Sequence, residues 1–119
     1  MRIAITATGK DADSPLDPRF GRAKYILILD ESGNVLEAVD NAQNINAMRG
    51  AGIQAAKMLA DRKVDVLITG GCGPNAFQAL NAAGIKVVVD QSGTVKEALE
   101  RLSRKEVEFA GRPNVEGHW

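Results

Sequence analysis

Thr69-Gly70-Gly71-Cys72-Gly73-Pro74-Asn75-Ala76 is the stretch of this sequence best suited to holding a ligand. Its three glycines let the backbone come close to a bound group. Pro74 stands where a helix would begin, and the free N–H groups and positive dipole end of a helix start favour an anion. The plainer alternative is a strand-to-helix turn whose glycines take positive φ. Gly71-x-Gly73-x-x-Ala76 also matches a relaxed dinucleotide fingerprint, with Asp90 nineteen residues beyond Gly71. Dinucleotides normally need two mononucleotide halves, and this chain has room for one. Cys72 offers a soft thiolate for copper, zinc or an iron–sulfur species. Alternatively it is a small buried hydrophobe. A second group of candidates is Asp17-Pro18-Arg19-Phe20-Gly21-Arg22-Ala23-Lys24. Arg19, Arg22 and Lys24 can recognise an oxyanion through several donors, or pair with Asp11, Asp13 and Asp17 as ordinary surface charges. Phe20 either anchors this loop or covers a ligand. The amide-rich run Asp40 to Asn46 can hydrogen-bond a polar ligand or cap the helix that follows.

These residues must be positioned by regular elements. Ile3 to Thr8 reads as a strand. Tyr25 to Leu29 is a continuous apolar run suited to a strand covered on both faces. The turn Glu31-Ser32-Gly33-Asn34 and β-prone Val35 to Val39 complete a hairpin. Met48, Gly52, Ala55, Ala56 and Leu59 share one helical face. Val64 to Thr69 is a strand, Pro74 to Ala83 a short helix with Gly84 just past its end, and Lys86 to Val89 a further buried strand. Thr94 and Glu97 form a capping box before the stripe Val95, Ala98, Leu99, Leu102. Periodicity ends at Val107, so a single domain over residues 1–106 with a loose tail over 107–119 is expected. Three strands followed by helix–strand–helix–strand–helix predict an α/β fold: a mixed five-stranded sheet, antiparallel hairpin plus parallel βαβ half, flanked by helices and compatible with ribonuclease H-like topology.

Composition narrows the function. With 15 Lys+Arg against 15 Asp+Glu the net charge is zero, which argues against broad binding to nucleic acid or an anionic membrane. No apolar run approaches a membrane span, and Met1-Arg2-Ile3 leads into a strand rather than a signal peptide. One cysteine excludes an internal disulfide and suggests the reducing cytoplasm. The only histidine, His118, stands next to the C-terminal residue, so a Cys/His zinc centre and a Ser-His-Asp triad are both unsupported. Ile3 to Thr8 lacks the carboxylates of a two-metal nuclease, and no GxxxxGK[ST] loop occurs. Catalysis has little visible machinery, and a non-enzymatic protein is expected.

Asp17-Pro18-Arg19-Phe20-Gly21-Arg22-Ala23, Gly50-Ala51-Gly52-Ile53, Gly73-Pro74-Asn75-Ala76-Phe77 and Gly84-Ile85-Lys86-Val87 occur in that order. In this the chain resembles the dinitrogenase iron–molybdenum cofactor biosynthesis family, from Met1 to about Leu102. The resemblance implies a ribonuclease H-like (NifX/NafY-like) fold without nuclease activity. It implies a carrier, store or scaffold for a metal–sulfur cluster. The chain looks most like the small orange-protein type of sulfate reducers, which holds a molybdenum–copper sulfide cluster non-covalently. On that footing Arg19, Arg22 and Lys24 neutralise a polyanionic cluster, while Phe20 and Gly21 help shape its pocket. Gly70, Gly71, Gly73, Pro74 and Asn75 contact its edge, Asn44 adds an amide, and Cys72 either meets the metal or only neighbours it. An ATPase of the Mrp/MinD type is the partner the family makes plausible, with the chain a monomer or weak homodimer. The competing readings are a nucleotide- or dinucleotide-binding enzyme using Gly71 to Ala76, and an adaptor for such an ATPase.

Overall fold

The computed structural model describes residues 1–41 and 50–115. Asn44, Met48, His118 and Trp119 lie outside the described residues. Five strands form one sheet: β1 (Ile3–Ala7), β2 (Tyr25–Leu29), β3 (Val35–Asp40), β4 (Val66–Ile68) and β5 (Lys86–Val88). Their order is β3-β2-β1-β4-β5. β1 pairs antiparallel with β2 and β2 with β3, while β4 runs parallel to β1 and β5 parallel to β4. This is the mixed, ribonuclease H-like α/β sheet expected from the order of elements. The helices among the described residues are α1 (Ala51–Asp61), α2 (Pro74–Ala82) and α3 (Val95–Ser103).

The central strands β1, β2 and β4 are almost wholly apolar because both of their faces are covered, whereas the edge strand β3, with Glu37 and Asp40, is mostly exposed. Side chains alternate across a strand. Ala4, Ile26, Ile28, Leu67 and Val87 therefore meet α1 and α2 through Ala55, Ala56, Leu59, Phe77 and Leu80. Ile3, Ile5, Leu27, Leu29, Ile68 and Val88 meet α3 through Val95, Ala98 and Leu99. A right-handed crossover returns each helix antiparallel to its strands. The starts of α1 and α2 consequently lie at the carboxyl ends of β1, β4 and β5.

Those two helix starts differ from that of α3. Thr94 Oγ1 accepts the Glu97 N–H at 3.1 Å and Glu97 Oε1 accepts the Thr94 N–H at 2.9 Å, satisfying two orphan donors. The Thr94 N–H bond to the carboxylate, helped by the Thr94 hydroxyl, holds the Glu97 carboxyl below the usual range. The caps of α1 and α2 are Gly50, at φ 79°, and Gly73, which have no side chain to cap with.

The long first loop splits into two parts. Thr8 N–H donates to Pro15 O at 3.0 Å and Asp17 N–H to Thr6 O at 2.9 Å, folding residues 8–17 back beside β1. Leu16 N–H donates to Gly93 O, and Val95 and Lys96 donate to Ser14 O and Ala12 O, which ties this part to the start of α3. Pro18 to Lys24 is the part that reaches the glycine loop. The described residues beyond Val107 form no regular element, yet Ala110 N–H donates to Val87 O at 2.7 Å along the outer edge of β5.

Candidate functional site

Ile5, Ile68 and Val88 stand level in the parallel ladder. The residues that follow them build one edge of the molecule. Its base is polar and buried. Thr6 Oγ1 donates to Asp17 O at 2.6 Å, so the 2.9 Å contact between the Thr6 and Thr69 hydroxyls has Thr69 as donor. A hydroxyl has only one proton to give.

Above this base the two candidate loops pair with each other. Gly71 N–H donates to Pro18 O at 2.5 Å and Phe20 N–H donates to Gly71 O at 3.2 Å, as in a short parallel ladder around Arg19. The pairing requires glycine: a Cβ on Gly70 would lie 2.7 Å from Pro18 Cα, and one on Gly21 would lie 2.7 Å from Gly52 N at the start of α1. The sequence motifs of the first loop, the glycine loop and the Gly50-Ala51-Gly52 helix start are thus one contiguous piece of structure.

The predicted residues divide within it. Phe20 is fully buried among Leu59, Cys72 and Phe77, so it anchors the loop from below. Burying such a ring stabilises by about 2–3 kcal/mol. Arg19 is exposed, and its guanidinium has no ion pair or hydrogen bond with any described residue. Asp17 bonds the Arg19 backbone N–H at 3.1 Å instead. Arg22 is half-buried and engaged in a contact of its own. The Lys24 ammonium lies 5.7 Å from the Tyr25 ring centroid, and that ring packs on the α3 side of the sheet. Lys24 is therefore turned away from the helix starts. In the amide-rich run Asn41 is buried, and its Nδ2 donates to Gly21 O and Ala23 O, closing the first loop rather than capping α1.

Not all of the glycine loop's donors remain open. The Gly71 N–H is taken by Pro18 and the Cys72 N–H by Asn114 Oδ1 at 2.8 Å. The N–H groups of Gly73, Asn75 and Ala76 at the start of α2 have no partner among the described residues, nor do those of Ala51, Gly52 and Ile53 at the start of α1. The edge therefore presents two sets of inward-running helix N–H donors beside an unpaired arginine, a field suited to an anion. Asp90, the acid of the dinucleotide pattern, has φ 60° and its carboxylate accepts from Asn114 at 3.0 Å. Sequence reasoning took in Thr69 with the glycine loop but missed Asn114 and Thr6, because nothing in their neighbours' spacing marks them.

Cys72 is fully buried, and burial pushes its thiol up to about 12. Its Sγ donates weakly to Gly73 O at 3.8 Å. Iodoacetamide at pH 8 should therefore label native Cys72 at least about a hundredfold more slowly than the urea-unfolded chain. The protonated thiol is favoured in the folded state, so this contribution is complete below pH 9 and declines toward pH 12. The fall is at most about 1.4 kcal/mol per pH unit. Cys72→Ala should remove that slope in denaturation measured between pH 9 and 10.5; an identical slope in the variant would show that the thiol is not responsible.

No group of three His, Cys, Asp or Glu side chains that could hold a metal ion occurs among the described residues. A groove of about 510 Å³ lined by Ile3, Val66, Leu99, Leu102, Val107 and Phe109 lies at the opposite end of the sheet, away from the candidate residues. No described helix is long and apolar enough to cross a membrane.

A ribonuclease H-like sheet with an anion-suited edge, and no cluster of metal-ligating side chains among the described residues, is the class of α/β domain that the fold defines. Known proteins resolve it further. The profile of the dinitrogenase iron–molybdenum cofactor family matches residues 1–105, and the chain belongs to that family. It is similar to the apo form of the orange protein from Desulfovibrio gigas, with 46% identity over 96% of both chains and a TM-score of 0.92. A NifB-type protein of Thermotoga superposes with a TM-score of 0.81 at 41% identity over 98% of both chains. An uncharacterized protein of Methanocaldococcus jannaschii is 27% identical over 84% of this chain and 83% of its own length.

Proposed function

We propose that this protein holds a preformed, molybdenum-containing metal–sulfide cluster, of the molybdenum–copper sulfide type, without covalent ligation and without catalysing a reaction. The observation that carries the reading is the edge where Arg19 stands beside the N–H groups of Gly73, Asn75 and Ala76, with neither its guanidinium nor those groups partnered among the described residues. A thiometallate is a polyanion whose sulfides accept from such donors, and it needs no protein thiolate. The donor set fits this cargo and not a closed shell of protein ligands, since clustered metal-binding side chains are absent among the described residues. Family membership and the likeness to the orange protein, whose apo form presupposes a bound one, support the same reading.

In this proposal residues 1–106 form the cluster-binding unit, acting in the cytoplasm as a carrier or store. Arg19 and Arg22 neutralise the cargo, and Gly21, Gly70, Gly71 and Pro74 shape the edge that Gly73 and Asn75 present. Phe20 and Cys72 form the floor, the latter as a protonated neighbour rather than a ligand. Lys24 adds charge at longer range. A carrier must be loaded and unloaded, and an Mrp/MinD-type ATPase is the partner class we assign.

The test is an anaerobic titration of the protein with tetrathiomolybdate, with and without a copper salt. Visible bands and molybdenum, together with copper where it was added, should remain after desalting. Bands that wash away, or arise equally with an unrelated protein, would overturn the proposal.

A further inference from the structure

The glycine loop is held on both of its edges, and one of the two clamps comes from the tail. Gly71 points its N–H and C=O at the first loop, toward Pro18 and Phe20. Gly70 and Cys72 point the other way, toward Asn114. Asn114 Oδ1 accepts the Cys72 N–H at 2.8 Å, and its own N–H donates to Cys72 O at 3.2 Å. Its Nδ2 donates to Gly70 O at 2.9 Å and to Asp90 Oδ1 at 3.0 Å. A side-chain amide has two donor hydrogens and a carbonyl acceptor, and here all are engaged with partners at this edge. Asp90 is fastened in turn, its N–H donating to Gly70 O at 2.8 Å. Asp90 sits in the left-handed region, at φ 60°, which Asp and Asn tolerate better than most residues.

Glycines impose no shape of their own, so the conformation of this loop is set by what grips it. We propose that residues 110–114 are a strap that fixes the glycine loop, with Asn114 as the positioning residue that keeps the Gly73, Asn75 and Ala76 donors aimed at a ligand. The strap is a property of the chain alone; its part in retaining a cargo rests on the cluster-binding reading. Asn114 is exposed, so its replacement removes these bonds without opening the core. An aspartate at 114 sets a second carboxylate against Asp90. Exchanging the two residues, in Asp90→Asn/Asn114→Asp, restores a donor and an acceptor in reversed order.

The experiment is amide hydrogen exchange on the full chain, read at Cys72 and at Ile5 and Leu27 of the sheet. Asn114→Ala and Asn114→Asp should speed Cys72 exchange about tenfold while leaving the two sheet amides unchanged. The exchanged pair Asp90→Asn/Asn114→Asp should slow Cys72 again. Unchanged Cys72 exchange in Asn114→Ala overturns the strap. So does an equal rise at Ile5 and Leu27, which would make Asn114 a general stabiliser, or a double variant no better protected than Asn114→Asp. Tetrathiomolybdate should also leave Asn114→Ala about tenfold faster than the wild type, and equal rates overturn the role in retention. If the wild type retains no tetrathiomolybdate, the cluster reading falls and the exchange data alone decide the strap.

Discussion

Gly70→Ala should lower stability by about 3 kcal/mol, and the melting temperature by roughly 10 °C or more. A Cβ at this position would stand 2.7 Å from Pro18 Cα, 2.8 Å from its Cβ and 2.9 Å from its carbonyl oxygen. None of these atoms is the tip of a flexible side chain that can swing aside. Pro18 is also fixed from behind, because its carbonyl accepts the Gly71 N–H and the preceding Asp17 carbonyl accepts the Thr6 hydroxyl. Relief therefore requires the first loop to lift off the glycine loop. Gly84→Ala is the control. Gly84 has φ 76° but nothing within 4 Å of a new Cβ, so only the left-handed backbone is penalised, at about 1–2 kcal/mol. Thermal and urea unfolding of both variants give the comparison. A Gly70→Ala variant that melts within about 2 °C of the wild type would show that the two loops are not pressed together.

The second large effect is on cargo. Arg19→Gln/Arg22→Gln should weaken tetrathiomolybdate retention about a hundredfold, the worth of losing two charge-assisted contacts at a partly desolvated edge. The Arg19 guanidinium has no partner to lose among the described residues, so the single Arg19→Gln variant should keep the wild-type melting temperature while retaining the cargo about tenfold more weakly. Arg22 is already engaged within the protein, and its share is read only from the double variant. Arg104→Gln, an exposed cation after α3, should change nothing. Raising ionic strength should weaken the wild type more than the double variant, because screening acts on charges that are present. Equal retention by the wild type, Arg19→Gln and the double variant would remove the electrostatic account of the site.

The architecture was open to reading because local patterns carry it. Tyr25 to Leu29 is a continuous apolar run and so had to be covered on both faces, and in the structure Ile26 and Ile28 pack against α1 while Leu27 and Leu29 pack against α3. Thr94 and Glu97 announced α3 through chemistry confined to four residues. Strand ends were less legible. Val64 to Thr69 has the composition of one strand, but Val64 closes the turn from α1 through its N–H to Leu59 O, and only Val66–Ile68 pairs as β4. At the candidate site, the glycines and arginines were visible by type, whereas their burial was not. Phe20 was open between anchor and cover until its neighbours were known. Asn114 stood in a stretch without periodicity, and its partners lie 24, 42 and 44 residues earlier in the chain. Bonds of that kind leave no trace in the spacing of nearby residues.

The wide separation of those partners also bears on the order in which the protein is made. The Thr6–Thr69 bond spans 63 residues and the Cys72–Asn114 bond 42. Closing such long loops is entropically slow and follows the local steps of folding. A chain emerging from the ribosome has β1, β4 and β5 in hand before residue 114 arrives to brace the glycine loop. On the cluster-binding reading, the candidate edge is therefore among the last of these parts to take shape, and a chain short of residue 114 offers visiting anions no settled place to rest.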